Sequence, residues 1–262
     1  ILPVGKILEH AAAHFPKEML GYLRVFYKQP PTLEAFRAQA RDIALSEEQI
    51  TEASGEPGVG PHPKPWPEDP RLDPDLLEHG DRRNVIDRYR YWTVSAIVAD
   101  LDATRHPLHI AIQNWEHDFN IGSIVRTANA FNVAGVHIIG RRRWNRRGAM
   151  VTDRYLHVEH HPSVADFADR LAADRYAIIG VDNLEGALPL ESYELPQRTC
   201  LVFGSEGPGL TDELVAVCEH LVAITQYGST RSINAGAAAA IAMYHWALRW
   251  AGSRHVPGAG HE

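Results

Sequence analysis

The sequence predicts an α/β fold, a parallel sheet with helices on both faces, preceded by a small helical amino-terminal extension. Three observations lead there. From His106 onward, short apolar runs (LHIAIQ, GVHIIG, YAIIGV, TCLVFG, HLVAI) alternate with helix-period stretches (IGSIVRTANAF, SVADFADRLAAD, TDELVAVC) and end in an alanine-rich helix from Ser232 to about Trp250. The apolar runs are nearly continuous, as in parallel strands covered on both faces. Unusual polar residues and glycines collect in loops after three of those strands, where open α/β sheets take their ligands.

In chain order, residues 1–52 read as helical, with apolar residues at three- and four-residue spacing from Leu8 and a break at Gln29-Pro30-Pro31. Residues 53–80 are crowded with Pro and Gly and read as a linker. Residues 81–105 are expected to form a connecting helix with Val85, Tyr89, Trp92 and Ala96 on one face. The α/β domain then spans 106–251, and 252–262 reads as a flexible tail. The chain opens at Ile1 rather than at a methionine, so residues are expected before it.

Cys200 and Cys218 lie in apolar segments without metal-type spacing, which argues against a disulfide framework and a zinc site and for buried small hydrophobes. His157, His160 and His161 suggest no metal geometry, so no metal is expected. No apolar run approaches the roughly 20 residues of a membrane span, and no export signal is visible, which points to the cytoplasm. The net charge of −7 argues against a polyanionic partner, but its distribution argues otherwise. Arg141, Arg142, Arg143, Arg146 and Arg147 crowd into seven residues after the strand GVHIIG, and five like charges without an acid among them read as a phosphate track. Trp144, interleaved there, either stacks on an unpaired base or anchors the loop by packing.

Three segments carry candidate chemistry. Asn120-Ile-Gly-Ser-Ile-Val-Arg126 opens a helix; Asn120 reads as an N-cap, but Arg126 among apolar neighbours calls for an anion or carboxylate. Gly204-Ser-Glu206-Gly-Pro-Gly209 lets backbone approach a ligand, yet it is neither a Walker loop nor a dinucleotide fingerprint. Ser232-Ile233-Asn234 opens the last helix, where Ser232 could serve simply as N-cap.

Together, Asn-x-Gly-x-x-x-Arg at 120–126, Gly-x-Glu-x-x-Gly at 204–209 and Ser-Ile-Asn at 232–234 resemble, in order, the three motifs of the SpoU/TrmH class of SPOUT RNA 2′-O-ribose methyltransferases. The match covers about residues 106–250, and the first hundred residues carry none. The resemblance implies a carboxyl-terminal trefoil knot, a rare exception to unknotted topology. It implies S-adenosylmethionine as cofactor, held by backbone at Gly204, Ile224 and Ile233, and a homodimer acting on tRNA or rRNA. Arg126 resembles the catalytic arginine, and Asn120, Glu206, Ser232 and Asn234 the polar residues around it. Arg126 would be either the base or, since guanidinium stays protonated, a stabiliser of the developing alkoxide. Thr225-Gln226 stands where Pro-Met is usual, Arg231 and Gly236 where a small residue and a serine are usual, and Asn132 where a glycine is common. A non-catalytic RNA-binding protein on the same fold is the alternative reading; an oxidoreductase lacks its glycine fingerprint after the first strand.

Overall fold

The computed structural model describes residues 58–115, 120–205 and 208–252, with Arg147 by its backbone alone. The expected helical extension over 1–52 and almost all of the tail at 252–262 lie outside the described residues. The described residues from Val59 onward belong to one compact unit.

The segment expected as linker is folded from Val59 on. Val59 and Asp81 exchange backbone hydrogen bonds of 2.9 and 2.8 Å, and α1 (Pro74–His79) buries Leu77. Proline at the start of α1 costs nothing, because a first-turn N–H has no intrahelical partner, and the Asp73 carboxylate caps the Asp75 N–H.

The single helix expected over 81–105 is not formed. A 3-10 turn at Asp87–Tyr89 and the helix α2 (Val94–Asp102) replace it. Asp81 is the reason: fully buried, its carboxylate accepts from the backbone N–H of Arg83 and of Tyr91 and from the Arg83 guanidinium. Burial pushes this carboxyl upward, but the bonds from Arg83 and Tyr91 outweigh it and hold the group below the usual range. Tyr91 takes φ 63°, and Thr93 caps α2 afresh. Tyr89 and Trp92 still meet Ile97 and Tyr155 in one apolar cluster, with Val85 and Ala96 against it, but they come from a loop, the 3-10 turn and α2 and not from one helix face.

The parallel sheet is as expected, with strand order β3-β2-β1-β6-β4-β7-β5. Its strands are β1 (His106–Asn114), β2 (Val133–Gly140), β3 (Val158–His161), β4 (Ala177–Val181), β5 (Leu188–Pro189), β6 (Thr199–Phe203) and β7 (His220–Ala223). Every pairing is parallel. The two edge strands, β3 and β5, escape the sequence reading: VEHH and LP are too polar or too short to show a strand pattern.

Alternation along β1 sends its side chains to two cores. Leu108, Ile110 and Ile112 pack with Ile121, Ile124, Val125 and Ala128 of α3 (Asn120–Ala130), and with Ala239, Ala242, Met243 and Trp246 of α6 (Ala235–Trp250). Ala111 faces the other way, into a cluster with Phe167 and Leu171 of α4 (Val164–Ala173) and Leu214 of α5 (Asp212–Val217). Cys200 and Cys218 are free, and burial raises the thiol of Cys218 to about 11, so both behave as small hydrophobes. Among the described residues no helix is long and apolar enough to cross a membrane.

Candidate active site

The adjacent strands β6, β4 and β7 end on one cavity of about 370 Å³. It is lined by the turn after β4 (Asp182, Asn183, Leu184), the loop after β6 (Gly204, Ser205, Pro208, Gly209) and the segment after β7 (Ile224, Gln226, Ser232, Ile233, Asn234). All three expected cofactor-binding residues, Gly204, Ile224 and Ile233, therefore line one space, and Ser232 and Asn234 line it with them.

Gly204 makes the loop after β6 possible. A Cβ on it would lie 2.1 Å from the carbonyl carbon of Gly209 and 2.4 Å from the backbone nitrogen of Leu210. The loop closes on itself through Gly209 N–H to Ser205 O at 3.0 Å, and the Asp182 carboxylate anchors its end by accepting from Leu210 N–H at 2.8 Å. Gln113, at the end of β1, exchanges two hydrogen bonds with Thr211, the N-cap of α5.

The segment after β7 is tethered at both ends. The Glu191 carboxylate accepts from Thr225 N–H at 2.9 Å and from its hydroxyl at 3.0 Å, while the Asn183 amide donates to Arg231 O at 2.6 Å. Asp182, Asn183 and Glu191 were missed in the sequence. Their only local signal is position: Asp-Asn directly follows the apolar run of β4.

The cap of α6 is Asn234, not Ser232. Asn234 Oδ1 accepts from the N–H groups of Gly236 and Ala237, and its Nδ2 donates to Asn120 Oδ1 at 2.8 Å, joining the first and third motifs. Ser232 is left exposed on the cavity wall, with its hydroxyl outside the capping role. Gly236 accounts for one departure from the family pattern: a Cβ there would come within 2.7 Å of Ser123 Oγ on α3.

Arg126 is exposed, one turn along the solvent face of α3 from Ser123, and makes no ion pair or hydrogen bond among the described residues. It is not part of the cavity lining. Glu206 lies outside the described residues, as does the side chain of Arg147.

The arginine run leaves β2 through a turn fixed by Asn114, whose amide donates to the carbonyls of Arg141 (2.6 Å) and Arg143 (3.0 Å). The side chains of Arg141, Arg142 and Arg143 are exposed. Arg146 differs from them: it pairs with Asp153 at 3.3 Å, an acid from outside the run, and its guanidinium sits 5.4 Å from the Trp144 ring centroid. Trp144 is half-buried against the main core, so the packing role is the one the structure supports.

A second cluster went unread. His109, His137 and His161 on β1, β2 and β3 form a buried row, with Nδ1 of His109 2.7 Å from Nε2 of His137 and Nδ1 of His137 2.8 Å from Nε2 of His161. His137, Glu159 and His161 bring metal-ligating atoms within 4.8 Å of one another; His137 Nδ1 and His161 Nε2 share a hydrogen bond, and Glu159 pairs with Arg170. Burial holds His109 down to about 4, and burial followed by the neighbouring histidines lowers His137 as well. Unfolded imidazoles take up protons below about 6.5 while the buried ones do not, so acid favours the unfolded state. We expect stability to fall as pH drops from about 6.5 toward 4, by about 2 kcal/mol between pH 8 and pH 5 for His109 alone. Urea unfolding at both pH values measures this, and an unchanged free energy would contradict it.

Residues 107–244 match the model of the SpoU rRNA Methylase family. The tRNA (guanosine(18)-2′-O)-methyltransferase of Escherichia coli is 25% identical over 153 residues, which cover 57% of this chain and 67% of that protein. The SpoU methyltransferase AviRb from Streptomyces viridochromogenes, solved in complex with AdoMet, aligns with TM-score 0.50 and 25% identity over 57% of this chain and 60% of that one. A TrmH/SpoU tRNA modifying enzyme of A. aeolicus shares the fold, with TM-score 0.52 and 19% identity over 58% of this chain and 80% of that one. With more than half of its length matched by the family model and the family's fold built around the cavity, the chain belongs to the SpoU rRNA methylase family.

Proposed function

We propose that this protein transfers a methyl group from S-adenosylmethionine to a ribose 2′-hydroxyl of tRNA or rRNA, as a homodimer in the cytoplasm. The observation that carries the reading is the cavity after β6, β4 and β7, where residues of the second and third motifs meet while Asn120 of the first bonds to Asn234. The tRNA 2′-O-methylating activity in the name of the Escherichia coli relative and the AdoMet in the AviRb structure support it.

The residues present fit the cofactor. The cavity is of ligand size, and the closed loop at Gly204 offers backbone where a side chain cannot stand. Gly204, Ile224 and Ile233 would hold it, and when bound it supplies a methyl group already activated by a sulfonium. What is left to the protein is to orient the ribose oxygen in line and help remove one proton. Asn234, with its amide engaged at the helix cap and at Asn120, serves as a positioning residue. Ser232, free of capping, is the hydroxyl available to ligand, and Arg126 and Glu206 complete the set. Arg126 acts on the 2′-oxygen as a fixed positive charge, consistent with an exposed guanidinium that no described carboxylate neutralises.

The knot belongs to the same proposal. Its support is the insertion of β6 between β1 and β4, the convergence of the 204–210 and 224–234 segments on one cavity, and the return of α6 onto α3. The dimer is supported by α6, which exposes Ile241 (44%), Tyr244 (57%) and Leu248 (66%) at helical spacing, an apolar stripe suited to a second copy.

Arg141, Arg142 and Arg143 form the proposed phosphate track, with Arg146 reduced in weight by Asp153. Replacing Arg142 and Arg143 by Ala is expected to weaken RNA binding and flatten the slope of log K against log salt by about 1.4, at about 0.7 for each phosphate no longer neutralised. Binding titrations across salt concentrations measure it, and an unchanged slope removes the run from the RNA path.

The test of function is transfer of radiolabelled methyl from S-adenosylmethionine to cellular RNA lacking the modification, followed by digestion and chromatography of the nucleosides. Label in a 2′-O-methylnucleoside is the expected result. Cofactor and RNA binding without label would favour a non-catalytic RNA-binding protein on this fold.

A further inference from the structure

Gln226 stands at the wall of the cavity, one residue after the Glu191 tether at Thr225. Its Oε1 is sealed from solvent and has no hydrogen-bond partner among the described residues. The tethers at Thr225 and Arg231 restrain the backbone around it, and the next residue, Tyr227, turns out to 93% exposure. A buried amide carbonyl without a donor is destabilising in the ligand-free protein and is retained where a ligand supplies the missing N–H. Of the nearby acceptors, Asp182 already receives the N–H groups of Asn183 and Leu210, and Asn234 is engaged at the cap of α6. Among the described residues that line the cavity, Gln226 is therefore the one with a buried side-chain acceptor left unmatched. It is also a departure from the family, which usually has methionine here, a side chain with only a weak acceptor.

We propose that Gln226 is a cofactor-binding residue whose amide carbonyl accepts a hydrogen bond from an N–H group of S-adenosylmethionine, either the adenine amine or the amino-acid ammonium. The inference rests on the assignment of this cavity to the cofactor. It assigns to the Gln226 side chain a contact that Gln226→Met would remove at nearly constant volume.

The experiment is calorimetric titration of S-adenosylhomocysteine into the parent protein, Gln226→Met and Gln226→Glu, with thermal melting of each without ligand. Gln226→Met is expected to bind about tenfold more weakly while melting at the same or a higher temperature, because the orphaned carbonyl is gone. A merely structural role would lower the melting temperature instead. Gln226→Glu, which keeps an acceptor, is expected to bind at least as well as the parent. Repeating the series with 5′-methylthioadenosine, which lacks the amino acid, identifies the donor: the penalty in Gln226→Met persists for the adenine amine and vanishes for the ammonium. Parent-like binding of S-adenosylhomocysteine by Gln226→Met would overturn the proposal alone. Absence of binding by the parent would overturn the cofactor assignment and the proposal with it.

Discussion

Arg126→Ala is expected to lower kcat for methyl transfer by about a hundred- to a thousandfold, the range found when one preorganised charge or donor is removed from a developing oxyanion. Cofactor affinity should stay within about twofold of the parent, because Arg126 lies outside the cavity lining. Stability should change by less than about 0.5 kcal/mol, since an exposed side chain without a described partner leaves nothing unsatisfied behind it. Arg126→Lys separates the two chemical roles. A retained positive charge is expected to keep part of the rate if the group stabilises charge. Single-turnover kinetics together with S-adenosylhomocysteine titration measure the set. Equal loss of rate and of cofactor affinity would move Arg126 from the reaction to the binding site.

Gly204→Ala is expected to abolish cofactor binding, with at least about a hundredfold loss in affinity. The added Cβ would stand 2.1 Å from the carbonyl carbon of Gly209 and 2.4 Å from its oxygen, backbone that has no rotamer with which to yield. The loop must open, and the bonds of Gly209 to Ser205 and of Leu210 to Asp182 must break with it. Overpacking of this kind costs about 1–3 kcal/mol of stability as well. Gly228→Ala is the control: it lies close to the cavity segment after β7, and an added Cβ there meets nothing within 4 Å. It should bind and melt as the parent does. Titration and thermal melting of both variants check the contrast, and parent-like binding by Gly204→Ala would contradict the backbone cradle.

The structure separates what is local from what is not. Strands β1, β2, β4, β6 and β7 were legible because each is a run of apolar residues long enough to stand out, and α3, α4, α5 and α6 because their apolar residues recur at helical spacing. Helix 81–105 was misread for the same reason: Val85, Tyr89, Trp92 and Ala96 do share an apolar cluster, but the buried Asp81 and its bonds to Arg83 and Tyr91 hold the chain in a loop. These partners lie two and ten positions from Asp81, but hydrophobic periodicity does not register a carboxylate that will be buried. Ser232 and Asn234 show the limit at single-residue scale. Either could cap α6 on propensity, and Asn234 does so where Asn120, 114 positions away, receives its other amide group.

By itself, then, the sequence determined the α/β class, the order of the strongly apolar strands and the motif residues, because these depend on residue types and spacings within short windows. Tertiary structure alone decided that β6 inserts beside β1, that Gly204, Ile224 and Ile233 line one cavity, and that Glu191, Asn183 and Asp182 hold its loops. It also brought Asp153 to the exposed Arg146 and left Arg141, Arg142 and Arg143 exposed without a carboxylate partner among the described residues. The physical reason is that hydrogen bonds and ion pairs act over a few ångströms in space, and residues dozens of positions apart come within that range only once the sheet has formed.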